Sequence, residues 1–366
     1  MNKIKVLIVD DSAVMRKMLT EALSGAKNIE VVGTALDPYI AANKIKKLAP
    51  DVLTLDIEMP RMDGLTFLKK IMIAQPLPVI MVSGFTDKGA EQTIKALQYG
   101  AVDFILKPRA DDDDAWDSFT RELREKVFAA SNSKIATKVE KGRKAAIEER
   151  EFVEKYTADI IIPKKTTTLA KTRSELIVAI GASTGGTEAI AEILSNLNED
   201  VPGIVVVQHM PEKFTEAFAN RVNGMSQIFV KEAAQGDRLY KGMALIAPGN
   251  RHMILKRDGN GYWIEINDGL PVNRHRPSVD VLFRSTAQVS GSNAMGIILT
   301  GMGSDGAEGL MEMKEAGAVT VAQDEASSTV FGMPREAIKR GAADKVKNIS
   351  QIINLILEIN KKQSLH

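Results

Sequence analysis

The sequence predicts an α/β protein built from two doubly wound domains, and three observations support this fold class. The chain has 366 residues, more than the roughly 250 to 300 over which a single hydrophobic core keeps growing. Short β-rich runs alternate with stretches of helical apolar spacing, the pattern of parallel strands joined by helices. Between the two halves the pattern fades into mixed charge, as in a linker. We therefore place the domains at residues 1–128 and 174–366, with a linker at 129–173.

The first domain is predicted to be a five-stranded, flavodoxin-like parallel sheet. Helical spacing of apolar residues fills each gap between its strands, so each strand is followed by a crossover helix. The predicted strands are Ile4–Val9, Ile29–Thr34, Val52–Leu55, Pro78–Val82 and Asp103–Leu106.

The second domain is predicted to be a larger, mainly parallel sheet. Its predicted strands are Leu176–Ile180, Ile204–Val207, Ala244–Ala247, Met295–Thr300 and Val319–Ala322. The stretch from His252 to Asn267, with Asp258-Gly259 between two alternating runs, predicts an antiparallel hairpin at the edge of this sheet. The sequence leaves open which domain receives the apolar linker run Ile160-Ile161-Ile162.

Composition excludes several classes of function. The 48 basic and 47 acidic side chains nearly balance, so we expect no binding to nucleic acid. The chain has no cysteine, which excludes disulfides, thiolate catalysis and cysteine metal sites. The apolar run at the N-terminus is too short for a signal peptide or a membrane span. We expect a cytoplasmic protein that is not embedded in a membrane.

Charged residues cluster at the carboxyl ends of the strands predicted for the first domain. Asp10 and Asp11 follow the first strand, Asp56 the third, Ser83 the fourth and Lys107 the fifth. Three converging carboxylates repel one another unless a hard cation such as Mg²⁺ lies among them. A carboxylate beside Mg²⁺ and a lysine can attack a phosphorus atom. The alternative is that each acidic residue caps a loop or a helix.

These residues lie in motifs by which the first domain resembles the receiver domain of two-component response regulators. The motifs are Val9-Asp10-Asp11-Ser12, Asp56 to Gly64, Val82-Ser83-Gly84 and Leu106-Lys107-Pro108. The resemblance implies that Asp56 is phosphorylated and that a histidine kinase is the phosphodonor. It implies a magnesium site whose ligands are Asp10, Asp11, Asp56 and the carbonyl of Glu58. Lys107 would contact the phosphoryl group. Ser83 and Phe104 would be the switch residues that move on phosphorylation.

A serine lies on a predicted strand–turn–helix in the second domain. The run Gly181-Ala182-Ser183-Thr184-Gly185-Gly186 follows an apolar strand and precedes a helical pattern. Such a turn exposes a hydroxyl at the carboxyl edge of a sheet, where a hydrolase places its nucleophile. The alternatives are a glycine-rich loop that cradles an anion and a tight structural turn.

A serine nucleophile needs a general base, and the chain has four histidines. His366 is the last residue, His275 lies between two arginines, and His252 is expected in a loop before the hairpin. His209 directly follows a buried strand, at the same sheet edge as Ser183, and is therefore the candidate base.

Asp305 is the candidate acid that orients this base, because it also follows a buried strand. An alternative function for Asp305 is the N-cap of the helix that starts near Gly306. The order serine, histidine, acid differs from that of α/β-hydrolases; Asp237 and Asp268 are the acids that an alternative assignment would use.

The second domain resembles the catalytic domain of chemotaxis protein-glutamate methylesterases. The motifs are Ile180 to Gly186, Gln208-His209-Met210, Ala247-Pro248-Gly249, Arg276-Pro277-Ser278-Val279-Asp280 and Leu299 to Gly306. The resemblance implies a catalytic triad of Ser183, His209 and Asp305. It also implies hydrolysis of γ-glutamyl methyl esters, and deamidation of glutamines, on methyl-accepting chemotaxis receptors.

Further expectations follow from this resemblance. The backbone N–H groups of Thr184 and Met302 are candidates for the oxyanion hole, since glycine-flanked turns direct amides at developing charge. Ester hydrolysis is expected to need no cofactor, with Mg²⁺ serving only receiver phosphorylation. Arg276 is expected either to guide an acidic receptor surface or to be solvated.

The competing hypothesis is a response regulator whose second half only binds a ligand, with the Gly181–Gly186 loop holding an anion.

Overall fold

The computed structural model describes residues 3–84, 86–108, 113–133, 157–162 and 176–359. The chain divides into two compact units, one up to residue 148 and the other from residue 149. Most of the predicted linker and the terminal His366 lie outside the described residues, so the domain boundaries at 128 and 173 stay predictions. No helix in the described ranges is both long and apolar enough to cross a bilayer.

The first unit is a five-stranded parallel sheet with the order β2-β1-β3-β4-β5. The predicted strands are confirmed to within one residue at each end. The strands are β1 Ile4–Val9, β2 Ile29–Ala35, β3 Val52–Asp56, β4 Val79–Ser83 and β5 Asp103–Leu106. The helices are α1 Ala13–Ser24, α2 Pro38–Leu48, α3 Gly64–Ala74, α4 Asp87–Gln98 and α5 Asp113–Ser131.

The centre of this sheet is apolar on both faces because helices cover both sides of a parallel sheet. In β1 the residues from Val6 to Val9 are all fully buried. Two helices begin at side-chain caps close to the strand ends: Ser12 accepts a hydrogen bond from Met15 N, and Asp63 accepts one from Thr66 N. These caps fix the loops that carry the acidic residues.

The second unit contains a seven-stranded parallel sheet with the order β14-β13-β12-β6-β7-β9-β8. Its strands are β6 Ile177–Ala182, β7 Gly203–Gln208, β8 Phe229–Glu232, β9 Met243–Ile246, β12 Ala294–Ile298, β13 Val319–Gln323 and β14 Lys345–Lys347. Its helices are α6 Gly186–Ser195, α7 Phe214–Asn223, α8 Val279–Ser290, α9 Ala307–Glu315, α10 Met333–Lys339 and α11 Ile349–Ile359, with 3₁₀ turns at Ala158–Ile160 and Gly291–Asn293. The two edge strands, β8 and β14, were not predicted because they are short and carry charged residues.

The predicted hairpin is confirmed, but its position is different from the one expected. Strands β10 His252–Asp258 and β11 Gly261–Asn267 pair antiparallel and form a two-stranded sheet of their own, rather than extending the edge of the parallel sheet. The apolar face of the hairpin, with Leu255 and Ile264, is buried in the main core of the unit. Leu255 N donates to Ser285 Oγ of α8 at 3.0 Å. Packing against a helix therefore replaces pairing with an edge strand.

The apolar run of the predicted linker docks on the second unit. Ala158 is buried in a cluster with Ile254, Val272 and Val281, and Ile161 and Ile162 pack against this cluster. The structure thus settles which of the two units receives the segment 157–162.

Arg284 ties this segment to the helices of the second unit. The residue is 2% exposed. Its Nη2 lies 2.6 Å from Glu312 Oε1, and its Nη1 lies 2.8 Å from Asp159 Oδ1 and 2.9 Å from the carbonyl of Ile162. A buried guanidinium persists only when its charge and its N–H groups are satisfied in this way.

We expect Arg284→Met to lower the free energy of unfolding of the second unit by about 3–5 kcal/mol, because the buried carboxylate of Glu312 loses the guanidinium that neutralises it. Urea denaturation of the full chain measures this loss. The double variant Arg284→Met/Glu312→Leu should recover much of it, and Arg238→Met, which breaks an exposed pair with Asp258, should change little. A double variant no more stable than Arg284→Met would contradict this account.

Candidate active site and phosphorylation site

The strand order of the second unit brings Ser183, His209 and Asp305 to one place. Ser183 directly follows β6, His209 directly follows β7, and Asp305 lies in the loop after β12. These three strands are neighbours in the sheet, with β6 in the middle. The chain leaves β6 towards β7 on one side and returns by β12 on the other, which makes this edge a topological switch point, where parallel sheets form their binding crevices.

The backbone of the serine turn is held from both sides. Ala182 pairs with Gln208 in the sheet, and His209 N donates to the carbonyl of Ala182 at 3.0 Å. The carbonyl of Ser183 accepts hydrogen bonds from Gly186 N at 2.7 Å and from Gln208 Nε2 at 2.9 Å. Gly185, with φ of 78°, lies in the left-handed region and allows α6 to start at once. Gln208 is a positioning residue that sequence reasoning missed.

His209 is hydrogen-bonded to Asp305 through one ring nitrogen only. Its Nε2 lies 2.8 Å from Asp305 Oδ2, and both side chains are almost fully buried. Because a carboxylate can only accept, Nε2 carries the proton and Nδ1 is the basic nitrogen. Nδ1 is buried and has no hydrogen-bond partner among the described residues. The ring therefore presents an unused acceptor at the sheet edge that carries Ser183.

Asp305 accepts hydrogen bonds from four further donors. They are Asn273 Nδ2 at 2.8 Å, Ser278 Oγ at 2.8 Å, Val279 N at 2.7 Å and Asp280 N at 3.3 Å. Burial raises the pKa of Asp305, but the hydrogen bond and charge of His209 outweigh it and lower the net pKa below its ordinary value. The carboxylate therefore stays ionised beside the histidine.

Asp305 is thus not the N-cap of the helix that follows it. Helix α9 starts after Gly306, with no side-chain cap. The carboxylate instead binds the first N–H groups of α8, where the positive end of the helix dipole stabilises it. The alternative acids lie elsewhere, since Asp237 pairs with Lys231 and Asp268 with Arg251.

Asp280 is a second buried carboxyl group close to this network. It accepts hydrogen bonds from Gly309 N at 2.7 Å and from Asn273 Nδ2 at 2.6 Å. Burial, and then the charge of Asp305, raise the pKa of Asp280 well above its ordinary value. Asn273 therefore lies between one ionised carboxylate and one carboxyl group that favours its neutral form.

The other two described histidines, His252 and His275, differ from His209 in their contacts. His252 is the first residue of β10 and not, as the sequence had suggested, part of a loop. Its side chain is fully buried: Nδ1 accepts from Ser278 N at 3.2 Å, and Nε2 lies 3.0 Å from the carbonyl of Leu270. Burial lowers its pKa, so it stays neutral. The His275 ring stacks on the His209 ring. His366 lies outside the described residues.

The turn after β12 closes on the serine. A Cβ added to Gly301 would lie 2.7 Å from Ser183 Cβ, so only glycine allows this approach. Met302 comes next in the chain after Gly301. Thr184, the residue after Ser183, is buried, and its carbonyl accepts from Thr300 Oγ1 of the same turn at 2.9 Å. The oxyanion function of Thr184 and Met302 stays a prediction.

Arg276 is partly exposed and makes hydrogen bonds within the second unit. Its guanidinium donates to Asn250 Oδ1 at 2.7 Å and to the carbonyls of Asp268 and Gly269 at 3.0 Å each. It therefore helps to hold loops of the second unit together, and the expectation that it guides a partner stays a prediction.

The first unit brings its predicted charges together in the same way. Lys107 Nζ lies 3.0 Å from Asp56 Oδ1 and 3.3 Å from Asp10 Oδ2. Burial, and then the charge of Asp10, raise the pKa of Asp56 to about 6. Burial also raises the pKa of Asp10, whereas the charges of Asp56 and Asp10 outweigh burial and raise the pKa of Lys107. Lys107 is therefore charged, and a negative charge on Asp10 disfavours ionisation of Asp56.

The residues present fit a magnesium ion. Carboxylate oxygens of Asp10, Asp11 and Asp56 lie within 4.8 Å of one another. Asp56 Oδ2 is buried and has no hydrogen-bond partner in the described part of the chain. An unpaired buried carboxylate oxygen is costly, and a hard cation would satisfy it. The carbonyl of Glu58 stays a predicted further ligand.

The predicted switch residues are both buried. Ser83 Oγ accepts a hydrogen bond from Thr93 Oγ1 at 3.0 Å and lies at the end of β4, next to Asp56 of β3. Phe104 is 3% exposed, with its ring inside the unit. Their movement on phosphorylation stays a prediction.

Fold and sites together define a class: a receiver domain joined to a parallel α/β domain whose sheet edge carries a Ser-His-Asp constellation. Comparison with known families is consistent with this class. The response regulator receiver domain family matches residues 6–114, and the CheB methylesterase family matches residues 178–356.

Relatives match along nearly the whole chain. A protein-glutamate methylesterase/protein-glutamine glutaminase of Rhizobium johnstonii is 50% identical over 98% of this chain and 99% of its own length. One from Geobacter metallireducens is 51% identical over the same shares. The solved structure of the Thermotoga maritima CheB methylesterase catalytic domain is 38% identical, with a TM-score of 0.50, and covers 51% of this chain and 99% of that chain. The chain belongs to the CheB methylesterase family.

We expect a small phosphodonor with Mg²⁺ to label Asp56 and no other residue.

We also expect the affinity of the first unit for Mg²⁺ to fall at low pH. With a pKa of about 6, Asp56 is protonated below that pH and must release a proton to bind the metal. Affinity should be nearly flat above pH 7 and weaken about tenfold per unit well below pH 6. Calorimetric titration with Mg²⁺ from pH 5 to 8 measures this dependence.

Asp56→Asn is the control for the labelling, and chelation of Mg²⁺ should abolish it. Label retained in Asp56→Asn, or equal Mg²⁺ affinity at pH 5 and pH 7, would show that the site is misassigned.

Proposed function

We propose that this chain is a phosphorylation-controlled protein-glutamate methylesterase that hydrolyses γ-glutamyl methyl esters on chemoreceptors and also deamidates glutamine side chains. The observation that carries the proposal is the buried His209–Asp305 pair. The remaining ring nitrogen of His209 has no hydrogen-bond partner among the described residues, and His209 follows the strand next to the one that Ser183 follows. The names of the relatives that match nearly the whole chain support the choice of substrate.

The proposed reaction is acyl transfer to Ser183. His209 Nδ1 takes the hydroxyl proton as Ser183 Oγ attacks the side-chain ester carbonyl. The imidazolium then protonates the leaving methoxide, methanol departs, and a glutamyl ester of Ser183 remains. Water, deprotonated by His209, hydrolyses that ester and restores the serine. With a glutamine side chain the leaving group is ammonia, and the remaining steps are the same.

Asp305 and two backbone amides support this reaction. Asp305 holds the Nε2–H tautomer of His209 and stabilises the imidazolium that forms twice in each cycle. The amides of Thr184 and Met302 are proposed to bind the oxyanion. Thr184 follows Ser183 directly at the start of α6, whose dipole favours negative charge, and Met302 follows Gly301, which lies against Ser183. The hydrolytic step uses only groups of the chain and water.

Control is proposed to reside in the first unit. Asp56 accepts a phosphoryl group from a chemotaxis histidine kinase, and bound Mg²⁺ would neutralise charge on that group. Lys107 contacts the phosphoryl oxygens, and Ser83 moves towards them. Phosphorylation adds charge and acceptors at one sheet edge, so the balance of contacts around Ser83 and Phe104 changes.

We expect Ser183→Ala to abolish hydrolysis and His209→Ala to be nearly as severe, because the members of a triad act as a unit. Asp305→Asn should cost less, though still about 10²-fold or more, since it destabilises the imidazolium and the required tautomer. Release of labelled methanol from methyl-labelled receptor measures the activity.

Ser195→Ala, at the far end of α6, is the matched control and should be fully active. Near-normal turnover in Ser183→Ala would instead favour a second unit that only binds an anion. A larger loss in His252→Ala than in His209→Ala would remove His209 as the base.

We expect removal of the receiver to raise basal activity on intact receptor. Allosteric coupling of about 1–3 kcal/mol corresponds to an activation of roughly 5- to 150-fold. The fragment should start at residue 149, so that Asp159 keeps its contact with Arg284; a fragment from residue 173 tests the cost of losing that contact. Phosphodonor should activate the full chain and neither fragment.

A residue-149 fragment no more active than the unphosphorylated full chain would contradict inhibition by the receiver. It would favour activation through binding of the phosphorylated receiver to the receptor.

A further inference from the structure

A strained two-residue turn lies beside the proposed triad. Val272 and His275 exchange backbone hydrogen bonds of 3.0 Å and 2.9 Å. Between them Asn273 and Arg274 have φ of 51° and 70°. Positive φ at both central positions is typical of type I′ turns, in which glycine and asparagine are common, whereas an arginine there is unfavourable. Strain of this kind persists where surrounding contacts enforce it.

The turn delivers two side chains to the His209–Asp305 pair. Asn273 Nδ2 donates to Asp305 Oδ1 at 2.8 Å. The His275 ring lies on the His209 ring, with centroids 3.8 Å apart and planes only 8° from parallel. A single turn therefore contacts both the carboxylate and the imidazole.

Stacking matters because, within the described part of the chain, the His209 side chain makes only one hydrogen bond. A ring that is bonded through Nε2 alone can swing about that bond and move Nδ1 away from the serine. A flat ring in contact with one face limits this swing.

A shared metal ion is a poorer explanation of the same arrangement. Nitrogen atoms of His209 and His275 and an oxygen of Asp305 lie within 4.8 Å of one another. The lone pairs of ring nitrogens lie in the ring planes, however, and these planes are nearly parallel. They therefore do not converge on one point, as ligation by two histidines requires.

We propose that His275 is a positioning residue for the reaction of Ser183: by stacking on His209 it keeps Nδ1 directed at the serine hydroxyl. The proposal rests on the proposed function of the triad, and it assigns to His275 no proton transfer of its own. A flat, uncharged side chain of similar size should therefore replace it.

The test is the rate at which a fluorophosphonate probe modifies Ser183 in the full chain. This rate reports activation of the serine by His209 without any receptor. His275→Ala should react about 10- to 100-fold more slowly than the wild type, because a misplaced base costs rate in this range. His275→Phe should stay within about threefold of the wild type, and His275→Leu should resemble His275→Ala. With methylated receptor, kcat should fall in the same order and KM should change little.

His209→Ala sets the floor of the probe reaction, and Mg²⁺-dependent labelling of Asp56 shows that each variant is intact elsewhere. If His275→Ala does not fold, the comparison of His275→Phe with His275→Leu decides the question. Wild-type rates in His275→Ala or His275→Leu, or equal losses in His275→Phe and His275→Leu, overturn the proposal. A wild type that reacts with the probe through His209 but releases no methanol refutes the proposed substrate alone. The probe rates of the His275 variants then still test whether His275 positions His209.

Discussion

The hydrogen bonds to the Asp305 carboxylate are the constraint on which the geometry of the second unit's site depends. An ionised carboxylate that is 1% exposed is stable only when donors replace water. Its donors come from the end of β7, the turn at 272–275 and the start of α8. These three segments are therefore fixed relative to one another by a single group. Moving any one of them would leave a buried charge short of a partner.

The same group explains why the neighbouring polar residues differ in protonation. Burial, and then the charge of the ionised Asp305, raise the pKa of the adjacent Asp280 and favour its neutral form. His252 is buried and neutral, and it holds the Ser278 backbone whose hydroxyl reaches Asp305. The site therefore combines one ionised carboxylate with a neighbouring carboxyl group and a histidine that favour their neutral forms.

Both units place their chemistry at the carboxyl edge of a parallel sheet, for one physical reason. The central strands are largely apolar on both faces, so functional groups lie at their last residues or in the loops beyond them. In the first unit this edge gathers Asp10, Asp56 and Lys107, and in the second it gathers Ser183, His209 and Asp305. The segment 157–162 lies in the linker predicted from the sequence, but its hydrogen bonds to Arg284 attach it to the second unit.

The sequence by itself determined the fold class, nearly all strands of the two parallel sheets and the residues of both candidate sites, because strand–turn–helix patterns and charged strand ends are local features. Tertiary structure alone decided what depends on contacts between distant segments. The order β12-β6-β7 makes three strand ends neighbours, the hairpin packs on a helix and not at the sheet edge, and Asp305 caps α8, which precedes it in the chain, and not α9, which follows it. Asn273, Ser278 and the stacked His275 reach the site only because the hairpin and α8 bring their connection back to it, and no local pattern encodes that return.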